Sequence, residues 1–202
     1  DPTRPRTRST MNARSQLFIV GIQPDRQEAC AGNATVGGMP ELQRLRGDHA
    51  EALLAFELAN RTYFSAWISD RGDAFYQRFP QEHGALLAEQ EAGVCAFYVL
   101  VDDDQTILGR FNLYDLDLEH GTANVGYRVA ERIAGHGVAT SAVRELCGLA
   151  GSRHGLRMLS AGTSTENVAS QRVLEKVGFK AIGSAEVGGR PGIRYELGFD
   201  AA

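Results

Sequence analysis

The chain has 202 residues, 43% of them apolar, with 25 acidic against 21 basic side chains and a formal charge of −4. That is one ordinary domain, or one domain with an arm, and the slight acidic excess gives no sequence-wide attraction to nucleic acid or to an anionic membrane. Cys30, Cys95 and Cys147 are odd in number and form no CxxC pair, so neither a disulfide framework nor a metal site is indicated, and the longest apolar runs fall far short of the ~20 residues that span a bilayer.

Residues 1–39 are polar and rich in Gly, Pro and Arg, with one apolar island at Leu17 to Ile22, and read as a flexible arm ahead of a domain over residues 40–202. The alternation of Glu41 to Arg46 predicts a half-buried strand, and Asp48 is expected to cap the helical pattern that follows to Asn60. An aromatic stretch, Arg61 to Trp67, comes next. Beyond Asp73 the pattern is helical again, interrupted near Pro80. Val94 to Asp102, Thr106 to Leu118 and Gly121 to Ala130 read as three antiparallel strands joined by polar turns. A helix from about Val138, a strand at Gly155 to Ser164, a helix ending at Gly178, and strands at Phe179 to Val187 and about Gly192 to Phe199 complete the order. This is a mixed α/β (α+β) domain on one central sheet.

The stretch Arg132-Ile133-Ala134-Gly135-His136-Gly137 separates a strand from a helix whose apolar residues recur at helical spacing. Glycines there let the chain turn tightly and leave backbone N–H groups bare at the positive end of the helix dipole. Such a place binds an anion, most often a phosphate; an ordinary tight turn with no ligand is the alternative.

About thirty residues on, Asn167 and Ser170 open a second helix that ends in Gly178-Phe179. The combination of R-x-x-G-x-G, then a strand, then N-x-x-S and G-F, with Gly126-Tyr127-Arg128-Val129 upstream, resembles the GCN5-related N-acetyltransferases (GNAT). Asn60-Arg61 and Trp67 are similar to the RimJ/RimL branch, which acetylates N-termini of ribosomal proteins. The resemblance implies a single, mostly antiparallel sheet of six to seven strands flanked by helices, with a splayed cleft between strands 4 and 5 that takes acetyl-CoA as cosubstrate and needs no metal.

Carried over, the resemblance places Val129 along the pantetheine arm, with Arg132, Gly135, His136, Gly137 and Val138 around the pyrophosphate and Asn167 near the thioester end. His136 then lies far from the chemistry, as a solvent-facing loop residue. Acyl transfer needs a neutral amine, a donor for the oxyanion and a proton for the departing thiolate. Ser170 matches the family's proton donor, with Tyr195 the alternative, although a serine there also satisfies the first turn of its helix. The fifth strand offers no carboxylate, where many relatives have one, and Glu186 is the candidate base further on, acting through water. Trp67 is the candidate wall of the acceptor site, while Tyr63 and Phe64 read as core. The expected activity is acetylation of a primary amine, a protein or peptide N-terminus of ribosomal-protein type. A small-molecule acceptor such as an amino acid or antibiotic, or an inactive CoA-binding module, are the alternatives. The expected setting is the cytoplasm, as monomer or homodimer, without nucleic acid or membrane as direct partner.

Overall fold

The computed structural model describes residues 40–199, so the arm and its Leu17 to Ile22 island lie outside the described residues. Seven strands form one sheet in the order β1-β2-β3-β4-β5-β7-β6. They are β1 (Glu41–Arg44), β2 (Cys95–Val101), β3 (Ile107–Asp117), β4 (Thr122–Val129), β5 (Met158–Ser164), β6 (Lys180–Val187) and β7 (Arg190–Gly198). Every neighbouring pair is antiparallel except β4 and β5. The strand count and the mixed topology agree with the expectation from sequence.

One face carries α1 (Ala50–Ala59), α2 (Arg61–Ser65), α3 (Asp73–Gln77) and α4 (Phe79–Glu91). The other carries α5 (Val138–His154) and α6 (Val168–Val177). Side chains of the sheet mark the two faces: Arg110 of β3 reaches Glu57 of α1, while Tyr98 of β2 reaches His154 of α5. β2 is buried at nearly every position because both faces are covered, which is why its sequence runs apolar without alternation. Phe111, Leu113, Val125, Leu146, Leu159 and Leu174 are fully buried at the centre.

One local expectation is corrected. Asp48 does not cap α1: it sits in a 3-10 turn, Gly47–His49, and its carboxylate pairs with Arg46. The corner is closed by histidines instead, for the Arg46 N–H donates to His49 Nδ1 at 3.2 Å and its carbonyl accepts from His83 Nε2 of α4 at 3.0 Å. The helical run beyond Asp73 is interrupted near Pro80, as expected: two helices break at Arg78, because a proline is accommodated in a first turn where its missing N–H costs nothing.

Candidate active site

The parallel ladder between β4 and β5 is short. Cα pairs run from Thr122 with Met158 to Val125 with Ala161 and stop there, although β4 continues to Val129 and β5 to Ser164. The Ala130 N–H donates to Leu108 O at 2.8 Å, which sets the alternation along β4: the backbone groups of Gly126 and Arg128 face β3, and those of Tyr127 and Val129 face the other edge. Past the last β5 pair, that edge meets no strand. A gap therefore opens between strands 4 and 5, lined on one side by the main chain of Tyr127 and Val129.

At the wide end of the gap the chain passes through a 3-10 turn, Glu131–Ile133, and enters α5. Gly135 and Gly137 take φ of +81° and +79°, left-handed values that L side chains rarely adopt. Gly137 is the residue that caps α5, and no side chain caps the helix. The first helical N–H to find an acceptor is that of Ser141, on Gly137 O at 3.1 Å. The amides of Val138, Ala139 and Thr140 precede it and have no intrahelical acceptor by helix geometry. Arg132, Gly135, His136 and Gly137 are all exposed around them, and the His136 Nδ1–H donates to Ala134 O at 2.9 Å. The first turn of α5 holds no acidic residue. Bare amides, a helix dipole and an arginine suit a phosphate-bearing ligand, and the unpaired edge of β4 suits a thin amide-containing arm running on from it.

At the narrow end of the gap stands α6. Asn167 caps it, its Oδ1 accepting from the Ser170 N–H at 3.1 Å, and both residues are fully buried. The Ser170 hydroxyl lies 3.4 Å from the Tyr127 hydroxyl. Burial raises the Tyr127 pKa, so this phenol keeps its proton at neutral pH. Tyr195 of β7 is buried beside them, its hydroxyl donating to Glu175 Oε1 at 3.4 Å, and burial with the Glu175 charge raises its pKa as well. Ser170 and Tyr195 thus lie together with Tyr127 on the α5/α6 side, while Val129 stands two residues further along β4, toward the wide end of the gap. Tyr127 was not singled out from sequence; its place two residues before Val129 on a strand of period two was the available signal.

Glu186 is not brought into this group. It is exposed on β6, the outermost strand, opposite Pro191 of the hairpin. Trp67 lies on the opposite face, half-buried in the segment after α2, with its Nε1 buried and unpartnered. Tyr63 and Phe64 are core residues, 6% and 4% exposed. Asn112 and Ser164 also present unpartnered buried oxygens, and the register puts both on the α1 face of the sheet, Ser164 on the β5 side of the gap and Asn112 on β3, opposite Gly126. A separate cleft of about 620 Å³ between α1, the β2–β3 turn and Ala130 to Arg132 shares only Arg132 with the residues expected to bind the ligand, and holds none of the hydroxyls.

A feature that sequence reading missed is a buried charge cluster on the α1 face. Glu57 Oε1 accepts from Arg110 Nη1 at 2.8 Å and from Arg128 Nη2, and all three residues are less than 9% exposed. Although burial opposes it, the arginines hold the Glu57 carboxyl below its usual range. The Arg128 guanidinium stacks 5.1 Å from the Phe64 ring.

Residues 41–180 match the family model described as an acetyltransferase (GNAT) domain. The probable N-acetyltransferase YjcK of Bacillus subtilis (strain 168) is 29% identical over 145 residues, covering 67% of this chain and 77% of that protein. Among solved structures, the ribosomal-protein-S5-alanine acetyltransferase from Vibrio fischeri superposes with a TM-score of 0.75 at 20% identity, over 81% of this chain and 94% of that one. Mycobacterium smegmatis RimJ in complex with a CoA disulfide gives 0.71 at 25% identity, over 81% and 83%.

Proposed function

The chain belongs to the acetyltransferase (GNAT) family, and from that premise we propose that it transfers the acetyl group of acetyl-CoA to the N-terminal amine of a protein or peptide. One observation carries the reading: the β4–β5 ladder ends at Val125 and Ala161, leaving a gap with bare helix amides at its wide end and a buried hydroxyl pair at its narrow end.

Acetyl-CoA supplies an activated acetyl thioester. The amides of Val138 to Thr140, with Arg132, hold its phosphates, and the backbone of Tyr127 and Val129 aligns its arm and offers an N–H to oxygen charge at the reacting carbonyl. The phosphates lie toward the α5/α6 face, so the acceptor approaches through the gap from the α1 face, past Trp67, Asn112 and Ser164. Ser170, backed by Tyr127, donates the proton that the thiolate takes on leaving, with Tyr195 behind it. No carboxylate stands on β5, so the amine loses its proton to water, with Glu186 of the following hairpin as the candidate carboxylate behind that water. Orientation of the reactants supplies the remainder. In this reading the protein works in the cytoplasm as a monomer or homodimer, and among the described residues no helix is long and apolar enough to cross a membrane.

The acceptor side also bears on the choice between a peptide and a polyamine. Its buried floor is arginine-rich, and cationic acceptors are repelled by it. The test is thiol release from acetyl-CoA against N-terminal peptides, amino acids, polyamines and aminated antibiotics, with mass spectrometry of the products. Modified peptides are the expected result. Release only with small amines would move the assignment to a small-molecule enzyme, and CoA binding without any release would make the protein a binding module.

A further inference from the structure

The charges on the α1 face do not balance. Arg71, in the segment between α2 and α3, faces the same cluster as Arg110 and Arg128, so three guanidinium groups meet one buried carboxylate, Glu57. The Arg71 side chain makes no hydrogen bond or ion pair among the described residues; its Nε is buried and unpartnered, and its guanidinium carbon lies 4.4 Å from the centre of the Phe75 ring. The acids nearby are otherwise engaged. Asp70 and Asp73 are both bound by Arg61, and Glu82 acts on Arg71 only through its field. Consistent with an uncompensated charge, burial and the two neighbouring arginines pull the Arg128 pKa down to about 9 despite its bond to Glu57.

The location gives the surplus a use. Arg128 follows Tyr127 and precedes Val129 on the edge of β4 that lines the gap, with its side chain on the acceptor's side of the sheet. A narrow hollow lined by Glu57, Phe64, Ile68, Arg71, Tyr76 and Arg128 has room for about one water-sized group. Ile68, in its wall, is the chain neighbour of Trp67.

We propose that Arg71 and Arg128 form an anion-reading subsite for the acceptor, so that the preferred substrate is a peptide with an acidic side chain within one or two residues of the amine. This rests on the peptide N-acetyltransferase reading and gives it a substrate class. A carboxylate placed there accepts charge-assisted hydrogen bonds from the free Nε and Nη groups of Arg71 and supplies the negative charge that the protein does not. An amide of the same shape leaves the surplus charge in place.

The experiment pairs Ala-Asp and Ala-Asn peptides of otherwise identical sequence, assayed with the full chain and acetyl-CoA, alongside binding without acetyl-CoA followed by the fluorescence of Trp67, the only tryptophan in the sequence. Expected is a kcat/KM for the Asp peptide about tenfold or more above that for the Asn peptide, carried by KM, with a matching difference in affinity. Arg71 is half-buried on a connecting segment, so variants there are expected to fold. Arg71→Lys should keep part of the ratio, Arg71→Gln bring it toward one, and Arg71→Glu invert it in favour of an Ala-Lys peptide. Equal kcat/KM for the Asp and Asn peptides in the wild-type protein, with both acetylated, overturns the subsite and leaves the N-acetyltransferase reading standing. Acetylation confined to small amines, with no peptide modified, overturns both.

Discussion

Gly135 has open space where a Cβ would stand, so a substitution there disturbs the ligand and the backbone angle rather than any packed neighbour. Gly135→Glu sets a carboxylate beside the α5 amides at a φ of +81°, and isothermal titration is expected to find no measurable CoA affinity. An affinity unchanged from wild type would remove the phosphate site from this loop. Ser170→Ala is expected to lower kcat by ten- to a hundredfold with little change in KM, as is Tyr127→Phe, because each removes part of one proton-donating pair. A loss confined to KM would make the pair a binding element. The third residue-scale case is structural: Glu57→Gln leaves Arg110 and Arg128 without their carboxylate in the interior and should cost about 3–5 kcal/mol in urea unfolding.

Between β1 and α4, two histidines clamp the backbone of Arg46, and each has one ring nitrogen that is buried without a partner, His49 Nε2 and His83 Nδ1. Burial is the first cause that lowers both pKa values below the ordinary 6.5, and it does the same to His154, whose Nε2 meets the Tyr98 hydroxyl at 2.8 Å. With folded values below unfolded ones, the unfolded chain takes up protons first as the pH falls. The contribution of these groups is therefore complete above about pH 6.5 and is lost as the pH falls below it toward their folded pKa values. The thermal midpoint should drop between pH 7 and pH 5, and the drop should shrink in His83→Gln; a midpoint in the wild type that does not move over that interval would sink the assignment. Sequence reading placed Asp48 at this corner because aspartate is a common helix cap, and it had no means of seeing a ring from α4 arrive 37 positions downstream.

Across the whole molecule, what the chain's own periodicity encodes was legible and what distant pairing creates was not. Strand alternation and the helix pattern gave the order of elements, and the glycine-bearing start of α5 and the Asn167 cap of α6 were readable because each acts within a few residues of itself. Arg110 and Arg128 were invisible as site residues, since in sequence they are charges on strands, and only the register that sets them opposite one another above Glu57 makes them a cluster. Glu186 shows the reverse: a carboxylate at a plausible distance along the chain that the β5-β7-β6 order sets on the outermost strand. The core itself is conventional, and Leu146→Ala, fully buried under the sheet, should cost about 2–5 kcal/mol by equilibrium unfolding without changing the acid-to-amide preference of the acceptor site.

Among the described residues, the β1–β4 leaf of the sheet is joined to the β5–β7–β6 leaf by only four β4–β5 residue pairs, with the Arg157 and Met158 N–H groups donating to Gly121 O just before them. Val129 and the start of α5 lie at the end of the first leaf, while Ser170 and Tyr195 belong to the second. A long molecule lying in the gap is then a stitch across a spine, and the place that feels it most is the spine itself. The amides of Thr122 to Val125 and Met158 to Ala161 should exchange with solvent several-fold more slowly once CoA is bound, though the ligand touches none of them.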